Sequence, residues 1–404
     1  MAPIRVAAVR TAVPAWVLAA TMVAACSSPD GGSAVDAPEA QFDRAGLLRR
    51  IAVDLLTPGY AQFATDATAL DAAVDAHCAV LDASGDGTAT ETAARAAWRT
   101  AIATWQRLDA VMVGPGAADD LRLRNRIYAW PLLAPCTIDQ DVVARWSAPG
   151  SFDVATRLDN VRSLAAVEYL LHPTSAVSSC PLSPNGWDAL GADLPRARCG
   201  LAAAITADVA TQAAALAEAW RPGGGDYGTT LATAGQGGSS IPTEREGLNM
   251  ISDALFYLDK MVKDMKLGES AGIVINACGT VEEPCLREVE HRFADASTLS
   301  VRANLAGLRA AFTGTIDGAD GLGFDDYLIA VGAADLATRM VGNLDLAITR
   351  ADALPESFLT ALASDRAAVV ALHAATKAIT DDLKAQFLTV LGLEIPDDVA
   401  GDND

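Results

Sequence analysis

The sequence predicts a nearly all-α protein, and three observations carry that prediction. Alanine and leucine dominate a chain that is 51% apolar but only 5% aromatic, a composition that favours helix over strand. Apolar residues recur at steps of three and four along most of the length. No segment shows the alternation of period two that a half-buried strand requires.

The first element is a targeting signal. Arg5 and Arg10 supply a positive start, Val13 to Ala20 a short apolar core, and Met22-Val23-Ala24-Ala25-Cys26 a lipobox-like end. The apolar run is too short to span a bilayer, so residues 1–25 read as a lipoprotein signal peptide, with Cys26 as the lipidated N-terminus of the mature chain. Residues 26–41, beginning Ser27-Ser28-Pro29-Asp30-Gly31-Gly32-Ser33, have the composition of a flexible tether. These features predict an exported protein, lipid-anchored in the periplasm. Ser27 after the cysteine points to the outer membrane.

The helices follow in order. Phe63, Ala67, Leu70, Val74 and Cys78 form one stripe; Trp98, Ile102, Trp105, Leu108 and Met112 form a second, stopped at Gly114-Pro115. A third helix is expected from about Asn160 to Leu171, halted by Pro173. Further stripes run through Ile251, Leu255, Leu258, Val262 and Met265; Val301, Leu305, Leu308 and Phe312; Leu336, Met340, Leu344 and Ala347; and Ile379, Leu383, Phe387 and Val390. The Gly/Ser-rich stretch 223–241 is the strongest internal break, and divides the chain into helical bundles at 42–222 and 242–404.

The formal charge of −21 repels nucleic acid and anionic headgroups, which excludes both as partners. Besides Cys26 there are six cysteines: Cys78, Cys136, Cys180, Cys199, Cys278 and Cys285. An even count in an exported chain predicts disulfides. Cys180 and Cys199 bracket one Pro/Gly-rich loop and Cys278 and Cys285 a smaller one, which leaves Cys78 for Cys136. Asp82-Ala83-Ser84-Gly85-Asp86-Gly87-Thr88 resembles the start of a calcium loop, but Ala93 stands where the bidentate glutamate is required, so it reads as a turn. None of the four histidines has metal-motif spacing. His172, at a helix end, suits a cation there, and His373 suits packing.

Glu168 is the most informative polar residue. It lies four residues after Leu164 and three before Leu171, on the apolar stripe of its own helix. A carboxylate there must be paired or hydrogen-bonded. Arg162 or a basic residue of another helix would make it a structural ion pair; otherwise it serves a ligand or a reaction in the bundle interior.

Several segments together resemble the imelysin family of exported bacterial proteins. They are Leu56-Thr57-Pro58-Gly59-Tyr60 with Phe63, Leu70 and Cys78; Ala97-Trp98 through Trp105 to Gly114-Pro115; and Ala165 to Leu171. In the second half they are Leu255-Phe256-Tyr257-Leu258-Asp259 leading to Lys266-Leu267-Gly268, Ser297 to Gly307, and Leu391-Gly392-Leu393 with Gly401 to Asp404. The resemblance implies two four-helix-bundle-like domains packed together with a site between them. It also implies either metallopeptidase activity or a part in periplasmic iron uptake. The family's Gly-x-His-x-x-Glu pattern falls on Ser163 to Glu168, with Ala165 in the place of the histidine. One carboxylate without its imidazole is a poor shell for zinc or ferrous iron.

The resulting expectation is a non-catalytic binding or accessory lipoprotein of iron or metal acquisition, with no cofactor, no metal site and no catalytic residue. It would meet the membrane through Cys26 and other envelope iron-uptake proteins as partners. Its cleft would be lined by Glu168, Tyr169, Lys266, Ser297 and Asn304. The competing expectations are a metallopeptidase whose missing histidine is supplied by His291, and a docking scaffold in the envelope.

Overall fold

Helix α1 (Thr57–Asp82) buries Tyr60, Phe63, Ala67, Leu70 and Val74 along one face, the stripe its periodicity requires. The computed structural model to which it belongs describes residues 42–279 and 281–396; the signal segment, Cys26, the tether to residue 41 and Gly401 to Asp404 lie outside the described residues. α1 packs against α2 (Thr88–Asp109), and the α3 helix (Leu164–Leu171) packs on both α2 and α4 (Leu194–Trp220). α4 runs the length of α1. In the second half come α5 (Glu244–Leu255), α6 (Leu258–Glu269), α7 (Ser297–Thr313), α8 (Ala334–Ala353) and α9 (Arg366–Asp382). Among the described residues there is no strand, only an isolated bridge between Ile316 and Ala319. The protein is all-α.

Two helices join the halves. α2 turns one face to α1 and another to α7. The approach is closest at Gly307, where an added Cβ would lie 1.9 Å from the Arg107 carbonyl oxygen, so only glycine allows this contact. The Gly/Ser-rich stretch 223–241 contains a short helix, Tyr227–Ala232, packed on the π-helical turn Arg50–Leu56.

Two boundaries and one helix type depart from the sequence pattern. α2 ends at Asp109 rather than at Gly114, although Met112 is still buried in the turn that follows. α3 starts at Leu164, because the preceding residues form a separate 3₁₀ turn, Asp159–Val161. α6 is a π-helix, whose i→i+5 bonds give more residues per turn than an α-helix. Its buried face therefore drifts from Leu258 and Val262 onto Lys266 and Leu267, and Met265, expected inside, is only half-buried.

All six cysteines among the described residues are bonded, as an oxidising compartment allows. Cys278–Cys285 is as expected, but the other two pairings are Cys78–Cys199 and Cys136–Cys180. Proximity in sequence misled: the long α1–α4 contact brings the end of α1 to the first turns of α4, with Cα atoms 5.5 Å apart across Cys78–Cys199.

Candidate functional site

Glu168 is 3% exposed and sits near the end of α3, all eight of whose residues are buried. Its partner is neither Arg162, which faces Asp159 and Asp208, nor, among the described residues, any other arginine or lysine. One oxygen accepts the backbone N–H groups of Phe293 and Ala294, both at 3.1 Å, and the other lies 2.8 Å from His291 Nδ1. A carboxylate only accepts, so Nδ1 carries the proton of that bond. His291 has φ +50° and Asp295 φ +49°, two left-handed residues that curl the chain so that the intervening amides converge on one oxygen. Arg99 braces the curl through the Ala294 carbonyl at 2.7 Å.

The other ring nitrogen opens a second network. His291 Nε2 lies 3.2 Å from the Tyr128 hydroxyl, which donates to Glu290 Oε1 at 2.6 Å. Gln106 donates to the same oxygen at 3.1 Å, and Lys266 Nζ stands 3.1 Å from it. Lys266 also donates to Gln106 and Asn304 at 2.7 Å each, and Asn304 donates back to the Gln106 carbonyl. Ser297 donates to the Glu290 carbonyl. Burial pulls the Lys266 amine below its ordinary value, with Glu290 and Asp109 opposing. Burial pushes Tyr128 well up, and the Glu290 charge adds to it, which keeps the hydroxyl a donor. Tyr257, likewise raised by burial and then by Asp109, donates to Asp109, which forms a buried two-point pair with Arg124.

Trp98 separates two histidines. Its ring meets His291 edge-on at 5.1 Å and His172 at 5.9 Å, while its Nε1 donates to the Leu164 carbonyl at the start of α3. His172 does not act as a helix-end cation. Burial, then the neighbouring Arg95, Arg99 and His291, lowers its pKa to about 4, so it is neutral at pH 7. His373 is buried, as a packing residue should be.

A cavity of about 120 Å³ opens beside this cluster. Glu168 and His291 form its polar floor, Ala165, Trp130, Leu133 and Phe293 its walls, and Arg287 and Arg292 its cationic rim. Ala165, standing where a histidine was expected, thus faces the cavity. Of the five residues expected in a cleft, only Glu168 reaches it. Lys266, Ser297 and Asn304 join Glu168 through Glu290 and His291, but inside the sealed network. Tyr169 turns away: its hydroxyl, raised to about 12 chiefly by burial, donates to Asp139. Among the described residues no group of three or more His, Cys, Asp or Glu side chains is placed to hold a metal ion.

The comparisons with known proteins match this architecture. A family model described as Imelysin matches residues 56–386. The chain belongs to the imelysin family. Two solved structures share its fold. One is an imelysin-like protein from Psychrobacter arcticum 273-4, 18% identical, covering 87% of this chain and 96% of its own, with a TM-score of 0.64. The other is a candidate iron-regulated protein A precursor from Parabacteroides distasonis ATCC 8503, 16% identical, covering 90% and 97%, with a TM-score of 0.64. No curated protein matches the sequence.

Proposed function

We propose that this imelysin-family chain is a non-catalytic ligand-binding lipoprotein of iron or metal acquisition, anchored through Cys26 and working with other envelope iron-uptake proteins. The observation that carries the reading is the cavity over Glu168 and His291. It has shape and charge for a ligand, but its two metal-type donors bind each other. A catalytic zinc needs about three protein ligands and an open position. The iron-regulated name of one structural neighbour supports the direction, and the three disulfides support an exported setting.

One observation favours a second reading, a metallopeptidase: His291 stands 2.8 Å from Glu168 and so brings an imidazole to the carboxylate that lacks one in sequence. The two readings part in one experiment. Purified mature protein is titrated calorimetrically with ferrous iron, zinc and ferric citrate, and incubated with casein. Binding of the ferric chelate without casein cleavage is expected. Sub-micromolar zinc or ferrous binding that vanishes in Glu168→Ala, together with cleavage, would replace the first reading with the second. The anchor is tested separately, by the mass of the N-terminal peptide beginning at Cys26.

A further inference from the structure

We infer that the cavity over Glu168 and His291 recognises a carboxylate group of its ligand, held by Arg287 and Arg292 at the rim. This rests on the reading that the cavity is the ligand site. The first argument is unspent charge. In a chain with 51 acidic and 30 basic side chains, several surface arginines find a carboxylate, as Arg50–Asp54, Arg221–Glu218, Arg309–Asp345 and Arg339–Asp382 do. Of the two rim arginines, Arg292 has none and Arg287 only one long contact. Among the described residues Arg292 has no carboxylate partner; it lies over the Phe293 ring, 4.8 Å from its centroid, and donates once, to the Arg287 carbonyl. Arg287 is 55% exposed and comes only within 3.9 Å of Glu288, beyond hydrogen-bond reach. Most of the N–H donors of the two guanidinium groups are therefore free for a planar oxyanion, the group their fork fits.

The second argument is that the cavity's own carboxylate does not compete. Glu168 already accepts two amides and an imidazole, and it makes no ion pair with Arg287 or Arg292 among the described residues. The third is size. At about 120 Å³ the cavity is smaller than one that holds benzene, so it admits a carboxylate and its adjoining carbons while the ligand body stays outside. Trp130 and Leu133 give those carbons an apolar wall.

The experiment titrates full-length mature protein with citrate, ferric citrate, ferrous sulfate and inorganic phosphate, in the wild type and in Arg292→Gln, Arg292→Lys and Arg287→Gln. These are rim positions, and unchanged thermal melts confirm folding. Citrate binding that weakens at least tenfold in Arg292→Gln, less in Arg292→Lys, and falls with added salt is expected. If ferric citrate binds in the same way, the iron reading stands as well. If citrate binds with this arginine dependence and ferric citrate does not, the carboxylate inference holds and the iron reading falls. Silence toward citrate, binding indifferent to the arginine variants, or a preference for phosphate overturns the inference.

Discussion

Trp98 has an imidazole on either side, and the two live in opposite electrostatic settings. His291 stands between two carboxylates, Glu168 and Glu290. His172 stands near two arginines, Arg95 and Arg99, and is held neutral. On the carboxylate side the groups are tied into a network that crosses from α3 through the loop before α7 to α6; on the arginine side the ring simply packs. The same side chain is thus a structural node in one place and filler in the other, and burial together with the sign of its neighbours decides which.

The sharpest way to break this contrast is at Lys266. Glu290 depends on it: one oxygen is shared by Tyr128, Gln106 and Lys266, and the other has no hydrogen-bond donor among the described residues. Lys266→Met leaves a buried charge uncompensated and should cost about 3–5 kcal/mol in urea unfolding. Lys266→Met combined with Glu290→Gln should recover most of that. A single-variant loss below about 1 kcal/mol would mean that the carboxylate side is no more demanding than the other.

Next is the loop that carries both carboxylate-side residues, Glu290 and His291. Cys278 and Cys285 are seven positions apart, and closing so short a loop is worth about 2.5 kcal/mol through the unfolded chain. Cys278→Ser with Cys285→Ser should lose about that much, and hydrogen exchange should quicken at Phe293 and Ala294 if the clip holds the curl. Exchange unchanged at those amides would locate its effect in the unfolded chain alone.

Glu168 itself should matter less, because backbone amides rather than a cation satisfy it. Glu168→Leu strands the Phe293 and Ala294 amides and His291, a loss of about 2 kcal/mol. Glu168→Gln keeps one acceptor for the amides and should lose about half as much. A leucine variant more stable than the glutamine one would remove the carboxylate's structural role.

The smallest effect is on the arginine side. The folded-state pKa of His172 lies near 4, below the unfolded value of 6.5, so its contribution is fully present above pH 6.5 and is lost as pH falls toward 4. The ring is half-buried, and screening reduces the effect to about 1 kcal/mol. In His172→Gln, the fall in stability between pH 6.5 and 4 should be shallower by that amount. An unchanged slope would show that the ring's burial among cations does not depress its charge in the folded state.

The helical frame was legible because it is periodic. Leu70, Trp105, Leu305 and Met340 are buried where their stripes place them. Glu168 was legible for the same reason, as a charge on an apolar stripe. Lys266 shows where periodicity fails: it stands four residues after Val262, on the buried face, but a pattern built on apolar residues passes over a lysine. Tyr128 and Glu290 carried no signal, since neither stands on a helix and their geometry comes from left-handed turns and a clip. The one available cue was an acid–imidazole pair, Glu290-His291, set between a cysteine-closed loop and the start of an apolar helix. The cysteine pairing was lost for a related reason: helix packing, not loop length, brought Cys78 to Cys199.

The contact at Gly307 has a consequence for timing. With the backbones of α2 and α7 too close for a methyl group, the two helices have no room to slide past each other at this point, so sliding is disfavoured as a way to admit a ligand. Entry to the cavity then depends on the loop between α6 and α7, whose motions belong to nanoseconds and microseconds rather than to the microsecond-to-millisecond range of domain closure. Trp130 lines the cavity and reports arrival. In stopped-flow mixing its fluorescence should change in one phase whose rate rises linearly with ligand concentration, and a plateau at high concentration would reveal a slow opening step instead of loop motion alone.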